Sequence, residues 1–348
     1  MRHILTIFLA IVATMPAQPQ PSPRELIEGD HWKRARAAVD ARTSNDAETL
    51  YLKATIKQAL GDLDAAEKFA EQSVAANPKE AEYHYRLSDI VGQKAQKASV
   101  FHQMGLGRTF KKECDAALAL DPNHVKALFN MMQFHLHAPG IIGGDKTKAN
   151  AIADQLSKLD PVTGVQAHIE IARVMKQDDK VNEIVRNAIA IKTDTFDTHM
   201  MVANYLANQK EPRFDEALQQ AREAMHMRPD RVGPHSLIAA ILARQQKWPE
   251  LDAAVAQAEK DVPDNLYSYY RAGNALLNAK SDLPRAERYF RKYLTGEPEL
   301  HFPNASAAHW RLGLVLDQSG RKQEAIAEWQ AAVKLDPNSP AKQELKKK

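Results

Sequence analysis

The chain has 348 residues, 44% hydrophobic and 26% charged, the balance of an ordinary folded protein rather than a disordered one. Its 47 basic and 44 acidic residues are scattered along the chain and leave a formal charge of +3, so no large single-sign field marks it for nucleic acid. Cys114 is the single cysteine, which excludes an intrachain disulfide and leaves the fold to packing alone.

The first residues differ from all that follow. Arg2 and His3 precede the apolar stretch from Ile4 to Val12, and Ala13, Met15 and Ala17 stand before a Pro/Gln-rich segment. That order reads as a secretory signal peptide over residues 1–17, cut near Ala17. Its apolar run is shorter than the roughly 20 residues a membrane-crossing helix needs. The expectation is an exported protein, periplasmic or secreted, with no membrane span in the mature chain. No cysteine lies near the cut, so a lipid attached there through a thiol is not expected.

Residues 18–23 form a Pro/Gln-rich linker, and 24–46, with Trp32, Ala35 and Val39, read as an N-terminal capping half-unit. Beyond them a helical pattern recurs at one phase. Prolines close its units at Pro78, Pro122, Pro161, Pro229, Pro263 and Pro298, and small or apolar residues fill one helix position at Ala66, Ala117, Leu156, Ala224, Ala258 and Ala286. The edges fall at 47–80, 81–124, 125–163, 164–195, 196–231, 232–265, 266–299 and 306–339, with a basic tail at 340–348. Unit 81–124 is lengthened by Gln93 to Gly107. Unit 125–163 carries the turn Pro139 to Gly144, and unit 164–195 has Thr193 where others have proline. Cys114 falls on a core-facing helix position, where a small buried residue is wanted.

Unit 306–339 is the clearest, with Trp310, Leu312, Gly313, Leu316, Gly320, Ala325, Trp329, Ala332, Leu335 and Pro337. Leu312, Gly313 and Leu316 share a stripe on the first helix, and Ala325, Trp329 and Ala332 form the opposing stripe on the second. Gly320 suits the end of the first helix, and Pro337 blocks extension of the second. These residues resemble the tetratricopeptide repeat, a helix-turn-helix unit of about 34 residues. The resemblance implies an all-α fold, a right-handed superhelical solenoid of stacked hairpins. Each hairpin shields its apolar face only against its neighbours, so both ends need caps.

The sequence carries few motifs of catalytic or metal chemistry. The stretch from Gly140 to Thr147 nearly spells a phosphate-binding loop, but Asp145 replaces the second glycine and a helix precedes it where such a loop follows a strand. The turn could still offer backbone N–H groups to an anion at the helix starting near Lys146. Among thirteen histidines, His135 and His137 project roughly 200° apart on a helix and cannot share an ion. No zinc-type spacing occurs. No enzyme activity, cofactor or metal is expected.

The informative pattern sits early in the first helices, as the pairs Tyr85-Arg86, Phe129-Asn130, Tyr270-Arg271 and Trp310-Arg311. The second member of each points away from the core stripe, and Asn204 and Asn274 share that face. In the tetratricopeptide family that side lines the concave groove, so the resemblance implies ligand contact by these ten residues. Arginine and asparagine can hydrogen-bond a peptide backbone or carboxylate, and the aromatics can anchor apolar side chains. Relatives that clamp a terminal carboxylate use Lys and Asn four apart; here Tyr51, Thr55, Tyr85 and Asp89 stand at the comparable places. The sequence thus points to a protein- or peptide-binding scaffold of the cell envelope. The alternatives are a glycan-processing or envelope-biogenesis factor and a self-assembling structural protein, a homo-oligomer.

Overall fold

The computed structural model describes residues 21–189 and 194–347. The segment read as an export signal and Thr193 lie outside the described residues. Short helices α1 (Pro23–Glu28) and α2 (Trp32–Asp40) come first, then hairpins α3 (Ala47–Ala59) with α4 (Leu63–Ala76) and α5 (Ala81–Lys97) with α6 (Val100–Leu120). The next are α7 (Val125–His137) with α8 (Lys146–Leu159), α9 (Pro161–Val174) with α10 (Asp178–Ile189), and α11 (Phe196–Ala207) with α12 (Phe214–Met227). Then follow α13 (Val232–Arg244) with α14 (Trp248–Asp261), α15 (Tyr267–Ala279) with α16 (Leu283–Tyr293), α17 (Ala305–Gln318) with α18 (Lys322–Leu335), and a terminal α19 (Ala341–Lys346). The described residues contain no strand. The fold is an all-α solenoid.

Local chemistry sets the helix ends. Asp46, Asp62, Asp145, Asp160, Thr195 and Asn304 cap helices by accepting backbone N–H bonds, satisfying donors that a helix start leaves open. Gly320 takes φ +79° just past α17, a conformation open to glycine. Gly313 has no such strain; it allows close approach, since a Cβ there would stand 2.3 Å from Trp329 Nε1. Trp329 is fully buried, so the α17–α18 crossing is built around that missing methyl group.

Stacking follows one rule along the array. Each first helix touches its own second helix and the next first helix, giving a continuous run α3, α5, α7, α9, α11, α13, α15, α17. These odd helices form the inner layer. Ala66, Ala117, Leu156, Ala224, Ala258 and Ala286 are all buried in the seams. Among the described residues, one apolar cluster runs from Val202 to Ala341, whereas the N-terminal half divides into five smaller clusters.

Several expectations need correction. Pro161 does not sit in a closing turn: Asp160 ends α8 and also caps α9, with Pro161 at its first position, where a missing N–H costs nothing. The unit edge drawn at 164 therefore falls inside a helix. Residues 93–107 do lengthen their unit, by extending α5 to 17 residues and α6 to 21. Residues 24–46 hold two helices rather than a half-unit, and the basic tail contains α19, with Ala341 buried and Leu345 against the core.

Candidate functional site

The inner layer places the ten sequence-selected residues in different settings. Tyr85 and Tyr270 are buried, and Phe129 and Trp310 half-buried. Asn130 is buried rather than solvated, and its Nδ2 finds no partner. Asn204 turns its Nδ2 onto the Met200 carbonyl of its own helix at 2.8 Å.

Arg86 is charge-paired within its own surroundings, with only its Nε lacking a partner. It donates to Gln58 Oε1 at 2.9 Å and to the Tyr51 hydroxyl at 3.3 Å, and it lies 3.7 Å from both Glu82 and Asp89. Burial by itself would lower its pKa, yet Tyr51, Tyr85 and Asp89 hold it above the ordinary value. Its charge is balanced inside the protein by Glu82 and Asp89.

The C-terminal half is arranged oppositely. Arg271 donates to Ser236 Oγ at 3.1 Å and has no carboxylate partner among the described residues. Burial pushes its pKa below the ordinary arginine value, as expected for a cation moved from water without a counter-charge. Arg311 lies 4.4 Å over the Trp310 ring and reaches the Tyr270 hydroxyl. Two further arginines escaped the sequence reading. Arg244 donates to the Ala207 carbonyl at 2.6 Å and stacks 4.5 Å over Phe214, and Arg231 stacks 5.7 Å over Phe196.

A cleft of about 480 Å³ lies on α11, α13 and α15, floored by Leu237 and Ile241 and edged by Arg244, Arg271, Asn274 and Asn278. No Asp or Glu lines it. Polar atoms buried without a protein partner occur in both halves, Arg86 Nε and Asn130 Nδ2 in the first and Asn274 Oδ1, Trp310 Nε1 and Arg311 Nε in the second. Such atoms are rare because each forfeits hydrogen bonds it would make with water. Of the expected residues, Arg271 and Asn274 share the cleft, Tyr270, Trp310 and Arg311 meet beside it, and Tyr85 and Arg86 stand at the other end of the layer. Phe129, Asn130 and Asn204 join neither group.

The other chemical features of the sequence are absorbed structurally. Asp145 Oδ1 accepts the N–H groups of Thr147 and Lys148, so the start of α8 already holds a carboxylate and the expected anion seat is taken. His135 Nδ1 pairs with the Gly143 carbonyl and His137 Nε2 with Glu170. Among the described residues no group of three His, Cys, Asp or Glu side chains is placed to hold a metal ion, and no helix is long and apolar enough to cross a membrane. The Cys114 thiol is buried and bonded to Ser88 Oγ, and burial pushes its pKa up to about 12.

Two segments match family models described as tetratricopeptide repeat, residues 47–80 and 281–340. No curated protein sequence matches the chain. Among solved structures it is similar to a human IFIT1 dimer with PPP-AAAA, at 16% identity over 93% of this chain and 75% of that one, TM-score 0.46. It is also similar to yeast Tom70, at 13% identity over 92% of this chain and 84% of that one, TM-score 0.44. A tetratricopeptide repeat protein from Parabacteroides merdae is 15% identical over 86% of this chain and 97% of that one, TM-score 0.42. Likeness at this level carries no information on ligands.

Proposed function

We propose that this chain, a tetratricopeptide-repeat protein, is a non-catalytic scaffold that binds an acidic segment of another protein or peptide along the inner wall of its C-terminal half. The observation that carries this reading is the set Arg244, Arg271 and Arg311, three inner-wall arginines with no carboxylate within salt-bridge distance among the described residues, two of them lining one cleft. A guanidinium presents a planar fork that a carboxylate fits with two parallel hydrogen bonds. A carboxylate entering the cleft would restore the counter-charge Arg271 lacks. Asn274 and Asn278 add groups able to pair with a peptide N–H or C=O, and Leu237 and Ile241 give an apolar floor for a neighbouring side chain.

The apolar stretch from Ile4 to Val12 supports a place for this scaffold in the cell envelope after export. Affinity capture from an envelope extract tests both statements, comparing the wild-type chain with an Arg244→Glu, Arg271→Glu, Arg311→Glu variant. The wild type should retain partners that the variant loses. An identical set on both chains removes the inner wall from the proposal, and a reporter fused at the C-terminus that stays in the cytoplasm removes export.

A further inference from the structure

The N-terminal hairpin does more than cover the first repeat. Its inner side packs where a cap should: Ile27 and Val39 join the cluster of Tyr51, Leu52 and Ile56, and Arg24 pairs with Glu48 at 2.5 Å and lies 4.4 Å over the Tyr51 ring. The start of α2 faces the other way. It touches three successive turns of the C-terminal half, those joining α12 to α13, α14 to α15 and α16 to α17.

The contacts are specific and buried. His31 is 6% exposed, with Nδ1 2.8 Å from Asp264 Oδ2 and Nε2 3.1 Å from the Asp230 carbonyl. Both ring nitrogens face acceptors, so only the imidazolium can donate to both at once. The Asp264 carboxylate accordingly raises the His31 pKa. Trp32 meets His301 edge-on, with ring centroids 4.9 Å apart. Lys33 Nζ donates to the Glu297 carbonyl at 2.6 Å.

Glu299 supplies the most telling contact. His31 stands at the N-cap position of α2 but makes no capping bond with its side chain. The cap comes from across the molecule, where Glu299 Oε2 accepts the Lys33 backbone N–H at 2.9 Å. The Glu299 side chain is fully buried there, and a carboxylate at a helix start meets both open N–H donors and the positive end of the helix dipole. The turn before α2 is shaped for this approach. Asp30 takes φ +64°, and a Cβ on Gly29 would stand 2.7 Å from His31 Cδ2.

We infer that α2 and the turn from Glu297 to His301 form a latch that closes the superhelix on itself and covers the inner wall of its first two repeats. Trp32 and His301 stand on one side of a cavity of about 210 Å³, with Thr55, Gln58, Arg86 and Asp89 on the other. The open cleft on α11, α13 and α15 has no latch residue in its lining. With the latch shut, the C-terminal wall is presented and the N-terminal wall is shielded; release exposes a longer continuous surface. The consequence for binding rests on the proposed function, but the closure itself does not.

The latch is tested without any ligand. Spin labels on Arg36→Cys in α2 and Thr295→Cys beside the α16–α17 turn, both exposed positions, report the gap between the two sides by pulsed electron resonance; buried Cys114 is protected from labelling. The otherwise wild-type chain should give one short, narrow distance distribution. His31→Ala and Glu299→Ala, placed on opposite sides of the seam, should each add a longer and broader population while helicity by circular dichroism is retained. Distributions that stay short and narrow in both variants overturn the latch. So does a broad distribution in the unsubstituted background, an outcome that needs neither variant to fold. Failure to find an acidic ligand would leave all of these readings intact.

Discussion

The two halves of the solenoid are built from the same hairpin but solve opposite problems. Among the described residues, most buried apolar side chains from Val202 onward join one cluster reaching Ala341, while those of the N-terminal half divide among five. The inner walls differ too. Arg86 is enclosed by Glu82, Asp89, Gln58 and Tyr51, and Trp32 stands over the same cavity; Arg271 has a serine hydroxyl and an open cleft. A continuous core holds groups in fixed positions, which lets a wall carry unpaired polar atoms without collapsing onto them. The half whose arginine already has carboxylates beside it has less need of an acidic partner.

The largest test of this contrast is of the cores. Trp329→Ala should cost about 3–5 kcal/mol, the usual range for emptying a buried aromatic site, and should raise hydrogen exchange across residues 202–341. Leu52→Ala removes an equally buried side chain and should cost about 2–5 kcal/mol, but its effect on exchange should stay near α2, α3 and α5. Equal spreading from both sites would erase the difference between the halves.

The arginines provide the next test. Arg86→Ala leaves buried hydrogen-bond partners unpaired and should destabilise by about 1–3 kcal/mol in denaturant titration. Arg271→Ala should change stability little, since a cation without a counter-charge is removed. Losing a charged hydrogen bond worth about 1.5–3 kcal/mol should weaken an acidic peptide bound in the cleft by roughly 10- to 100-fold. Reversed effects would place the ligand-facing wall in the N-terminal half.

A smaller effect concerns the seam between the halves. The groups facing His31 are Asp264 and the Asp230 carbonyl across the seam, with Glu299 beyond, and Lys33 and Arg34 on its own helix. A raised histidine pKa means that the stabilisation is complete below the unfolded value of about 6.5 and is lost as pH rises through the folded value. Burial also raises the Glu299 pKa, a shift that likewise weakens closure as pH rises. The His31 resonance in proton NMR should therefore titrate above about 6.5, and Asp264→Asn should bring its midpoint down. A midpoint unmoved by that substitution would show that the ion pair does not hold the seam.

Much of this structure was legible in the sequence, for reasons confined to short range. Gly320, the capping residues and the buried alanines act within a hairpin, so their spacing displayed the repeat directly. Arg271 and Asn274 lie three apart on one helical face and could be paired on sight. The self-pairing of Arg86 was also visible, since Glu82 and Asp89 stand four before and three after it. Arg244 was missed because it lies in the last turn of α13, away from the early aromatic pairs that mark the inner face. The seam was not legible at all: His31 and Asp264 are 233 residues apart, and no repeat phase relates α2 to the turns it meets.

The most direct test of the central claim is selection of a displayed random peptide library on the purified chain. Peptides recovered by the wild type should be enriched in Asp and Glu, and the enrichment should vanish on the Arg244→Glu, Arg271→Glu, Arg311→Glu variant while persisting on Arg288→Glu, a matched reversal at an exposed position on the second helix of the same hairpin as Arg271. Acidic peptides that survive the triple reversal, or that are lost equally with Arg288→Glu, would contradict an inner wall of the C-terminal half built to receive a carboxylate.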